Sequence, residues 1–310
     1  MPAAAVLGFD FGGTKIATAV CDTSGTRLGS ATIETRPEAG AQASLERGIE
    51  AARRLLATAA PDRELVAVGA STFGIPADDG VHLAPAIPGW GELRLGAALQ
   101  TAFAGAEVRL ATDVKAAAQV EADRGSLAGC DPALYLNLGT GLAVAIVANG
   151  AVLAGRHGAA GEIGYNLRGR PDVGEPARLL LEDAVSGNAL LRRASRLRPD
   201  LAGAAAVFAS QDVAVKRLLA DFVRELAFHL TNLAIAIDPV RIVVGGGMVH
   251  AWDHLVGGLR AALDAAVPYP PELVRARFPF DAPLMGALAL GTAAARDRRD
   301  RTQLEKGLSG

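Results

Sequence analysis

The chain has 310 residues, of which 50% are hydrophobic and 21% charged, enough for two domains of ordinary size with buried cores. Its net charge of −2 gives no reason to expect nucleic-acid binding. Cys21 and Cys130 form neither a CxxC pair nor a disulfide framework, so we expect a reduced, cytoplasmic setting. The N-terminus has no basic region before Asp10, and glycines interrupt the longest uncharged run, 132–155. We therefore expect neither a signal peptide nor a membrane span.

Two segments of the chain resemble each other. "VLGFDFGGTKIATAVCDTSG" begins at Val6, and "ALYLNLGTGLAVAIVANG" begins at Ala133. Each pattern predicts a β-hairpin with a tight glycine turn, because an apolar strand, the turn and a second alternating strand follow one another. A third strand is predicted after each hairpin. A duplication with so long a period predicts two similar domains.

Helices and strands alternate after each hairpin. In the first half the pattern predicts helices over 42–60 and 92–104, strands over 65–72 and 107–113, and a helix that opens directly after Asp113. In the second half it predicts helices over 176–196, 213–237, 252–267 and 284–296, a strand over 240–247, and a frayed polar tail after Arg298. This alternation predicts an α/β fold with a mixed sheet in each half.

The first hairpin turn, "DFGGTK", is a candidate phosphate loop. Gly12 and Gly13 leave backbone N–H groups open to an anion, while Thr14 offers a hydroxyl and Lys15 a positive charge. Asp10 stands at the mouth of the turn and is a candidate ligand of Mg²⁺, directly or through water. The alternative is that the two glycines serve only the hairpin turn.

Two further glycine turns could contact a nucleotide. The twin of the first turn comprises Gly139, Thr140 and Gly141, and it lacks both the acid and the lysine. This asymmetry predicts two loops that grip one polyphosphate from opposite domains, with the metal on one side only. A triple glycine, Gly245, Gly246 and Gly247, follows an apolar strand and precedes a helix. Such a turn suits the close approach of a phosphate or of the adenosine side of ATP.

The order and spacing of "DFGGTK", "LGTG", "AGEIG" and "VVGGG" resemble those of the ROK family (repressors, open reading frames, sugar kinases), from Leu7 to about Arg296. The resemblance implies a two-domain actin-like fold, a duplicated ribonuclease H-like fold, with an interdomain cleft. It implies a homodimeric kinase that transfers a phosphoryl group from ATP to a sugar-like hydroxyl. We expect a smaller domain over 1–112, to which the helix over 284–296 returns, a larger domain over 113–283, and a polar tail over 297–310. No winged helix precedes Leu7, so we expect no DNA binding.

Asp113 is the candidate general base, because kinase chemistry needs a carboxylate beside the attacking hydroxyl. It ends an apolar strand and begins a helix, where an N-cap role is the alternative. The resemblance of "TDVKA" to the family's "NDxNA" favours the base, which would act on a primary hydroxyl. Thr112 and Lys115 replace two asparagines of that pattern, so the hydrogen bonds around the reacting hydroxyl should differ from those in glucose kinases.

Glu162 resembles the sugar-binding acid of the family's "GExGH", where a carboxylate can accept hydrogen bonds from two adjacent hydroxyls. Tyr165 replaces the histidine, which in many members also ligates zinc. The segment "RPDVGEPARLLLE" has no cysteine, so the resemblance implies no zinc site. Glu182 matches the family's next sugar-contacting acid. The alternative for Glu182 is a solvated helix residue, a role that Asp183 could equally serve.

The substrate stays open at this point. The segment "PAIPGW" resembles the family's "NLPGW", with Ala86 in place of the asparagine. Three polar positions of a glucose-binding shell are thus altered together, at Ala86, Thr112 and Tyr165, which argues against an ordinary glucokinase. Another hexose, a valiolone-type cyclitol or an N-acylated hexosamine would each fit, and polyphosphate could replace ATP. The alternative of another class is a non-catalytic sugar-sensing protein that retains the fold. The presence of Asp10, Asp113 and the GGTK turn argues against it.

Overall fold

A computed structural model describes residues 3–201, 203–278 and 281–308, without the side chains of 302 and 305–308. The chain forms two compact units, Met1–Val120 with Asp281–Gly310, and Glu121–Phe280. The elements that begin in the first unit are β1 (Ala3–Phe11), β2 (Lys15–Asp22), β3 (Arg27–Glu34), α1 (Gly40–Ala59), β4 (Arg63–Thr72), β5 (Ile75–Pro76), β6 (Val81–His82), α2 (Leu95–Ala102), β7 (Glu107–Thr112) and α3 (Asp113–Arg124). The second unit contains β8 (Ala133–Leu138), β9 (Leu142–Ala148), β10 (Ala151–Val152), α4 (Gly187–Leu197), α5 (Gly203–Ala209), α6 (Val213–Ile237), β11 (Arg241–Gly245), α7 (Trp252–Ala266) and β12 (Glu272–Arg275). The last helix, α8 (Ala282–Leu308), belongs to the first unit.

The main sheet of the first unit has the strand order β3-β2-β1-β4-β7. Strands β1, β2 and β3 form an antiparallel meander, while β4 and β7 run parallel to β1. The side chains of Phe9 and Phe11, two positions apart in β1, lie on the sheet face that packs against α1 and α2. Helix α8 covers the opposite face. A Cβ atom at Gly69 would lie 1.8 Å from the carbonyl oxygen of Ala287, so this strand position must be glycine for α8 to pack so closely.

The five-stranded sheet of the second unit repeats this arrangement, with the order β10-β9-β8-β11-β12. Strands β8, β9 and β10 form the antiparallel meander, and β11 and β12 run parallel to β8. The strands supply Leu136 and Val244 to a core that α4, α6 and α7 complete. The two sheets share the same strand pattern, so the predicted duplication and the α/β fold class are confirmed.

The parallel strands of each sheet end in register. In the first unit Phe11 lies opposite Thr72, and Thr72 lies opposite Thr112. The turn after β1 and the start of α3 therefore lie at one edge of the sheet, two strands and about 10 Å apart. In the second unit Gly245 pairs with Asn137, so the turns after β8 and β11 also share an edge. Ligands of open α/β sheets bind at this carboxyl edge.

The helix predicted over 176–196 is wrong in its first half. Helix α4 begins only at Gly187, where the hydroxyl of Ser186 accepts the N–H of Ala189 at 3.1 Å as an N-cap. Before it, the N–H of Glu182 donates to the carbonyl oxygen of Gly164 at 3.1 Å. This tertiary hydrogen bond removes Glu182 from any continuous helical ladder.

The last helix is longer than predicted, because α8 continues through the segment expected to fray. Arg298 donates to the carbonyl oxygen of Gly105 at 2.6 Å, and Arg301 pairs with Glu107. These contacts anchor the polar end of α8 to the first unit. The short elements β12 and α5 were not predicted. No helix among the described residues is long and apolar enough to cross a membrane.

Candidate active site

The candidate phosphate loop joins β1 to β2. The N–H of Gly12 donates to the carbonyl oxygen of Lys15 at 3.0 Å and closes the turn. The hydroxyl of Thr35 donates to the carbonyl oxygen of Gly12 at 2.6 Å. The backbone N–H of Thr35 donates to the carbonyl oxygen of Thr14 at 3.0 Å. The side chains of Thr14 and Lys15 are exposed, and Gly13 is half-buried. Thr35 therefore holds the turn through two hydrogen bonds, while the polar side chains of the turn face solvent, where an anion can approach.

Asp10 lies one residue before the end of β1. Its carboxylate oxygen Oδ1 accepts the hydroxyl of Ser71 at 2.9 Å, because the two residues are partners in the pairing of β1 with β4. Burial raises the pKa of Asp10 from 3.8 to about 6, although the hydrogen bond from Ser71 and the charge of Lys15 both oppose the rise. The raised pKa shows that burial outweighs the neighbouring positive charge in the unliganded protein.

This carboxylate fits a hard cation such as Mg²⁺, which prefers oxygen ligands and would compensate the cost of burying the negative charge. Within the described part of the chain, no group of three or more His, Cys, Asp or Glu side chains could hold a metal ion. Mg²⁺ in proteins commonly keeps several waters and binds through one or two carboxylates together with phosphate oxygens, and Asp10 would supply one such carboxylate.

Thr112 and Asp113 stand where β7 passes into α3. Oγ1 of Thr112, which is 5% exposed, accepts the N–H of Lys115 at 3.2 Å, and Oδ1 of Asp113 accepts the N–H of Val114 at 2.8 Å. The bond from Lys115 to Thr112 is an N-cap bond, and α3 begins at Asp113 itself, so Thr112 takes the capping position that was the alternative for Asp113. The bond to Val114 leaves Asp113 able to act as a base, because an ionised carboxylate has about four acceptor sites.

The two glycine turns of the second unit meet. A Cβ atom at Gly139 would lie 3.6 Å from the nitrogen of Gly247 and 3.8 Å from Cα of Gly246. Gly246 has a φ of +82°, which favours glycine. The carbonyl oxygen of Gly139 accepts the N–H of Gly187, at the start of α4, at 2.7 Å. The register of β8 and β11 thus brings both candidate nucleotide turns together beside the N-terminus of α4.

Glu162, Tyr165 and Glu182 form a cluster in the same unit. Tyr165 ends a short 3-10 helix, Ile163–Tyr165, that directly follows Glu162. The pKa of the Tyr165 phenol is raised by its partial burial and then by the charges of Glu182 and Glu162. The backbone geometry agrees, because the N–H of Glu182 donates to the carbonyl oxygen of Gly164 at 3.1 Å, and Gly164 lies between Glu162 and Tyr165 in the same short turn. The structure therefore brings together the three residues of this unit that the sequence predicted as sugar ligands.

Glu182 is exposed, as the alternative assumed, but it does not lie in a helix. It lies before α4, and its Oε2 accepts the N–H of Leu142, next to the Gly139–Gly141 turn, at 2.8 Å. Asp183 instead lies 3.6 Å from Arg192 in an exposed ion pair. Local sequence patterns do not indicate the contact between Glu182 and Leu142, because the two residues are 40 positions apart.

Sequence reasoning also missed Ser71 as a partner of Asp10. The strand pattern places Ser71 near the end of "LVAVGAST", but only the register between β1 and β4 pairs it with Asp10. A second feature that was not predicted is a cavity of about 650 Å³ among α5, α6 and α7, lined among others by Phe208, Lys216 and His254. The described residues that line it include none of the predicted site residues.

Two duplicated sheets with glycine turns at their carboxyl edges define an actin-like α/β protein, and similar solved structures confirm this fold. The family model described as "ROK family" matches residues 6–294, and the chain belongs to this family.

Individual relatives agree with this assignment. The chain is 30% identical over 305 residues to the bifunctional enzyme NanE/NanK of Brucella melitensis, covering 93% of this chain and 54% of the relative, so it spans about half the length of that protein. It is 32% identical over 266 residues to the kanosamine kinase of Amycolatopsis mediterranei, covering 81% and 82% of the two chains. A solved ROK family glucokinase from Streptomyces griseus, in complex with glucose and AMPPNP, has a TM-score of 0.74 and 26% identity, covering 93% of this chain and 99% of its own.

Proposed function

We propose that the chain is an ATP-dependent kinase that phosphorylates a primary hydroxyl of a hexose or a sugar-like cyclitol. The observation that carries the proposal is the register of the first sheet, which aligns the glycine turn after Asp10 with the start of α3 at Asp113. A phosphate loop and a carboxylate at one sheet edge are what phosphoryl transfer to a hydroxyl requires. Membership of the ROK family and the kinases among the relatives support the same activity.

The first unit supplies the base and one phosphate loop in this proposal. Asp113 accepts the proton of the attacking hydroxyl, and the Thr112 hydroxyl donates a hydrogen bond to the acceptor. The N–H groups of the turn and the side chains at its end bind phosphate oxygens, through Gly12, Gly13, Thr14 and Lys15. Mg²⁺ held at Asp10, directly or through water, supplies charge neutralisation of the phosphates.

The second unit binds the rest of both substrates. The turn of Gly139, Thr140 and Gly141 contacts the phosphates of ATP, and the triple glycine of Gly245, Gly246 and Gly247 lies on the adenosine side. Glu162 and Glu182 accept hydrogen bonds from ring hydroxyls. The raised pKa of Tyr165 keeps its phenol protonated, so Tyr165 serves as a hydrogen-bond donor to the acceptor. No residue assigned here needs zinc.

The substituted positions Ala86, Thr112 and Tyr165 support an acceptor other than glucose. A valiolone-type cyclitol and an N-acylated hexosamine stay as alternatives, and the Amycolatopsis relative adds kanosamine to the acceptors worth testing. ATP is favoured over polyphosphate as the donor, since the glucokinase of Streptomyces griseus was solved with AMPPNP. We further infer a homodimer, as the family resemblance implies, and a cytoplasmic setting, as the cysteine pattern indicates.

The test is an ADP-release assay with a panel of acceptors: D-glucose, D-mannose, N-acetylglucosamine, N-acetylmannosamine, kanosamine and valiolone. We expect ATP consumption that depends on one or a few of these acceptors. The Asp113→Asn variant should lose it, whereas Asp123→Asn, on the exposed end of α3, should not. If the wild type binds an acceptor in calorimetry and consumes no ATP with any of them, the non-catalytic sensing protein is the better account.

A further inference from the structure

The chain that leaves Tyr165 needs contacts from elsewhere to hold one conformation. Between Tyr165 and Gly187, a stretch described throughout, the only regular element is a 3-10 helix, Arg170–Asp172. A segment without a helical or sheet ladder is ordered by its side chains and by isolated hydrogen bonds, against the full entropy cost of ordering its backbone. Whatever fixes this segment also fixes the exit of the turn that carries Glu162 and Tyr165.

Two contacts fix the first residues of the segment to α6. Nε of Arg168 donates to Oε1 of Glu225, and Nη2 donates to Oε2 at 3.1 Å, which makes the pair bidentate. Nδ2 of Asn166 lies 3.4 Å from Nδ1 of His229. Asn166 and Arg168 are two positions apart, so alternate residues of the segment contact α6.

The spacing of these contacts matches the two backbones. Asn166 has an extended conformation, with φ −55° and ψ 145°. Two residues of extended chain advance about 6.6 Å, and the four residues from Glu225 to His229 advance about 6 Å along a helix. Residues at positions i and i+2 of the segment can therefore meet residues one turn apart on α6 without strain in either backbone.

The Arg168–Glu225 pair is better shielded than the Arg224–Asp221 ion pair within α6. The side chains of Arg168 and Glu225 are 32% and 21% exposed, whereas those of Arg224 and Asp221, an ion pair on the same helix, are 75% and 58% exposed. Shielded bidentate pairs hold their geometry better than exposed single contacts, which contribute little. The Arg168–Glu225 pair also holds the pKa of the Arg168 guanidinium above its usual value.

A further hydrogen bond returns to Tyr165 itself. Nη2 of Arg178, later in the segment, donates to the carbonyl oxygen of Tyr165 at 3.2 Å. The N–H of Arg168 donates to the carboxylate of Asp172 at 2.7 Å, which folds the segment back in the direction of Arg178. The turn is thus joined to α6 through Arg168 and to its own segment through Arg178.

We propose that Arg168 and Glu225 are positioning residues for the acceptor-binding turn. Their bidentate pair fastens the chain leaving Tyr165 to α6, and so holds Tyr165 and Glu162 in the arrangement that receives the acceptor. The inference rests on the proposed function of that turn. A merely structural ion pair would change the stability of the unit and would not separate binding of the acceptor from binding of ATP.

The test compares Arg168→Gln, Glu225→Gln and the charge-swapped variant Arg168→Glu/Glu225→Arg with Asp221→Asn as the matched control on α6. Hydrogen–deuterium exchange of the peptide over 163–168 is measured without substrates. The KM for the best acceptor of the panel above and the KM for ATP are measured by ADP release.

Each single variant should raise exchange in the turn and the KM for the acceptor by about tenfold, with the KM for ATP within about twofold of wild type. The charge swap should bring the exchange over 163–168 and the KM for the acceptor part of the way back to wild type. Asp221→Asn should change neither the exchange nor this KM. Unchanged exchange over 163–168 in both single variants would overturn the proposal, and so would a parallel rise in both KM values. A wild type inactive with every acceptor would overturn the proposed kinase function instead, while the exchange measurement would still show whether the pair fixes the turn.

Discussion

The carboxylate of Glu182 accepts the backbone N–H of Leu142 at 2.8 Å, directly after the glycine turn that ends at Gly141. A Cβ atom at Gly141 would lie 2.5 Å from the same carboxylate oxygen. Within the second unit, a candidate ligand of the acceptor and a candidate ligand of the nucleotide therefore share one contact. A side chain added at Gly141 should therefore displace the Glu182 side chain first.

Replacement of Gly141 by alanine should weaken acceptor binding and spare the fold. The atom in the way is the end of a flexible side chain, and Gly141 has no positive φ, so Glu182 can move while the backbone stays. We expect the free energy of unfolding to change by less than about 1 kcal/mol and the KM for the acceptor to rise about tenfold. Thermal denaturation and steady-state kinetics measure the two effects.

The neighbouring glycine provides the control for this prediction. A Cβ atom at Gly139 would come no closer than 3.6 Å to Gly247 and the nearby atoms, an ordinary contact. Gly139→Ala should therefore leave the KM for the acceptor unchanged and raise only that for ATP, because the new methyl group would meet the phosphates. An unchanged acceptor KM in Gly141→Ala would contradict the role of Glu182.

Replacement of Asp113 by asparagine should remove the base and spare the start of α3. The asparagine side-chain oxygen can still accept the N–H of Val114, and Thr112 still caps the helix. We expect kcat to fall about 10²- to 10⁴-fold with an unchanged melting temperature. If Asp113→Asn instead keeps its kcat within about twofold of wild type, Asp113 is not the base.

Nucleotide binding should depend on pH through Asp10. Its pKa is raised from 3.8 to about 6, so the free protein holds this proton more tightly than the unfolded chain does. The raised pKa lowers the stability of the free protein as pH rises from about 4 to about 6. Binding of Mg²⁺ releases the proton, so the apparent affinity for Mg²⁺–ATP should fall about tenfold per pH unit below about 6.

Ser71 provides the control for the pH prediction. Its hydroxyl lowers the pKa of Asp10, so the Ser71→Ala variant should move the midpoint of the affinity profile to higher pH. Calorimetric titrations between about pH 5 and 8 would show the shift. A profile that is flat in this range for both proteins would exclude Asp10 as the metal ligand.

Activity should not depend on zinc. Tyr165 stands at the position of the family's zinc-ligating histidine, and the segment after it contains no cysteine. Elemental analysis should find less than about 0.1 zinc per chain, and treatment with 1,10-phenanthroline followed by Mg²⁺ should restore full activity. Stoichiometric zinc, or activity that only zinc restores, would overturn this expectation.

The sequence predicted those parts of the fold that depend on local pattern. The alternating hairpins, the strand that ends at Thr112 and the helix that follows it all agree with the structure. The helix predicted from residue 176 is wrong in its first half because Glu182 donates its N–H to Gly164 and accepts the N–H of Leu142. Such tertiary contacts override local propensity.

The candidate site was predictable to a similar degree. Local sequence patterns indicate the candidate acids, since strand ends or neighbouring glycines mark Asp10, Asp113 and Glu162. The partners that set their surroundings are distant in sequence. Ser71 meets Asp10 only through strand register, and Glu225 lies 57 positions from Arg168. A single sequence, taken without an alignment, contains no direct signal for contacts between residues so far apart.

The most direct test of the proposed activity is ³¹P NMR of a mixture of the protein, Mg²⁺–ATP and each acceptor of the panel. A kinase of this kind will convert the γ-phosphate of ATP into a phosphomonoester on a primary hydroxyl, with one ADP formed for each ester. Coupling of the new phosphorus signal to two methylene protons identifies that hydroxyl. Release of inorganic phosphate alone, or an unchanged ATP spectrum with every acceptor that binds, would contradict the account.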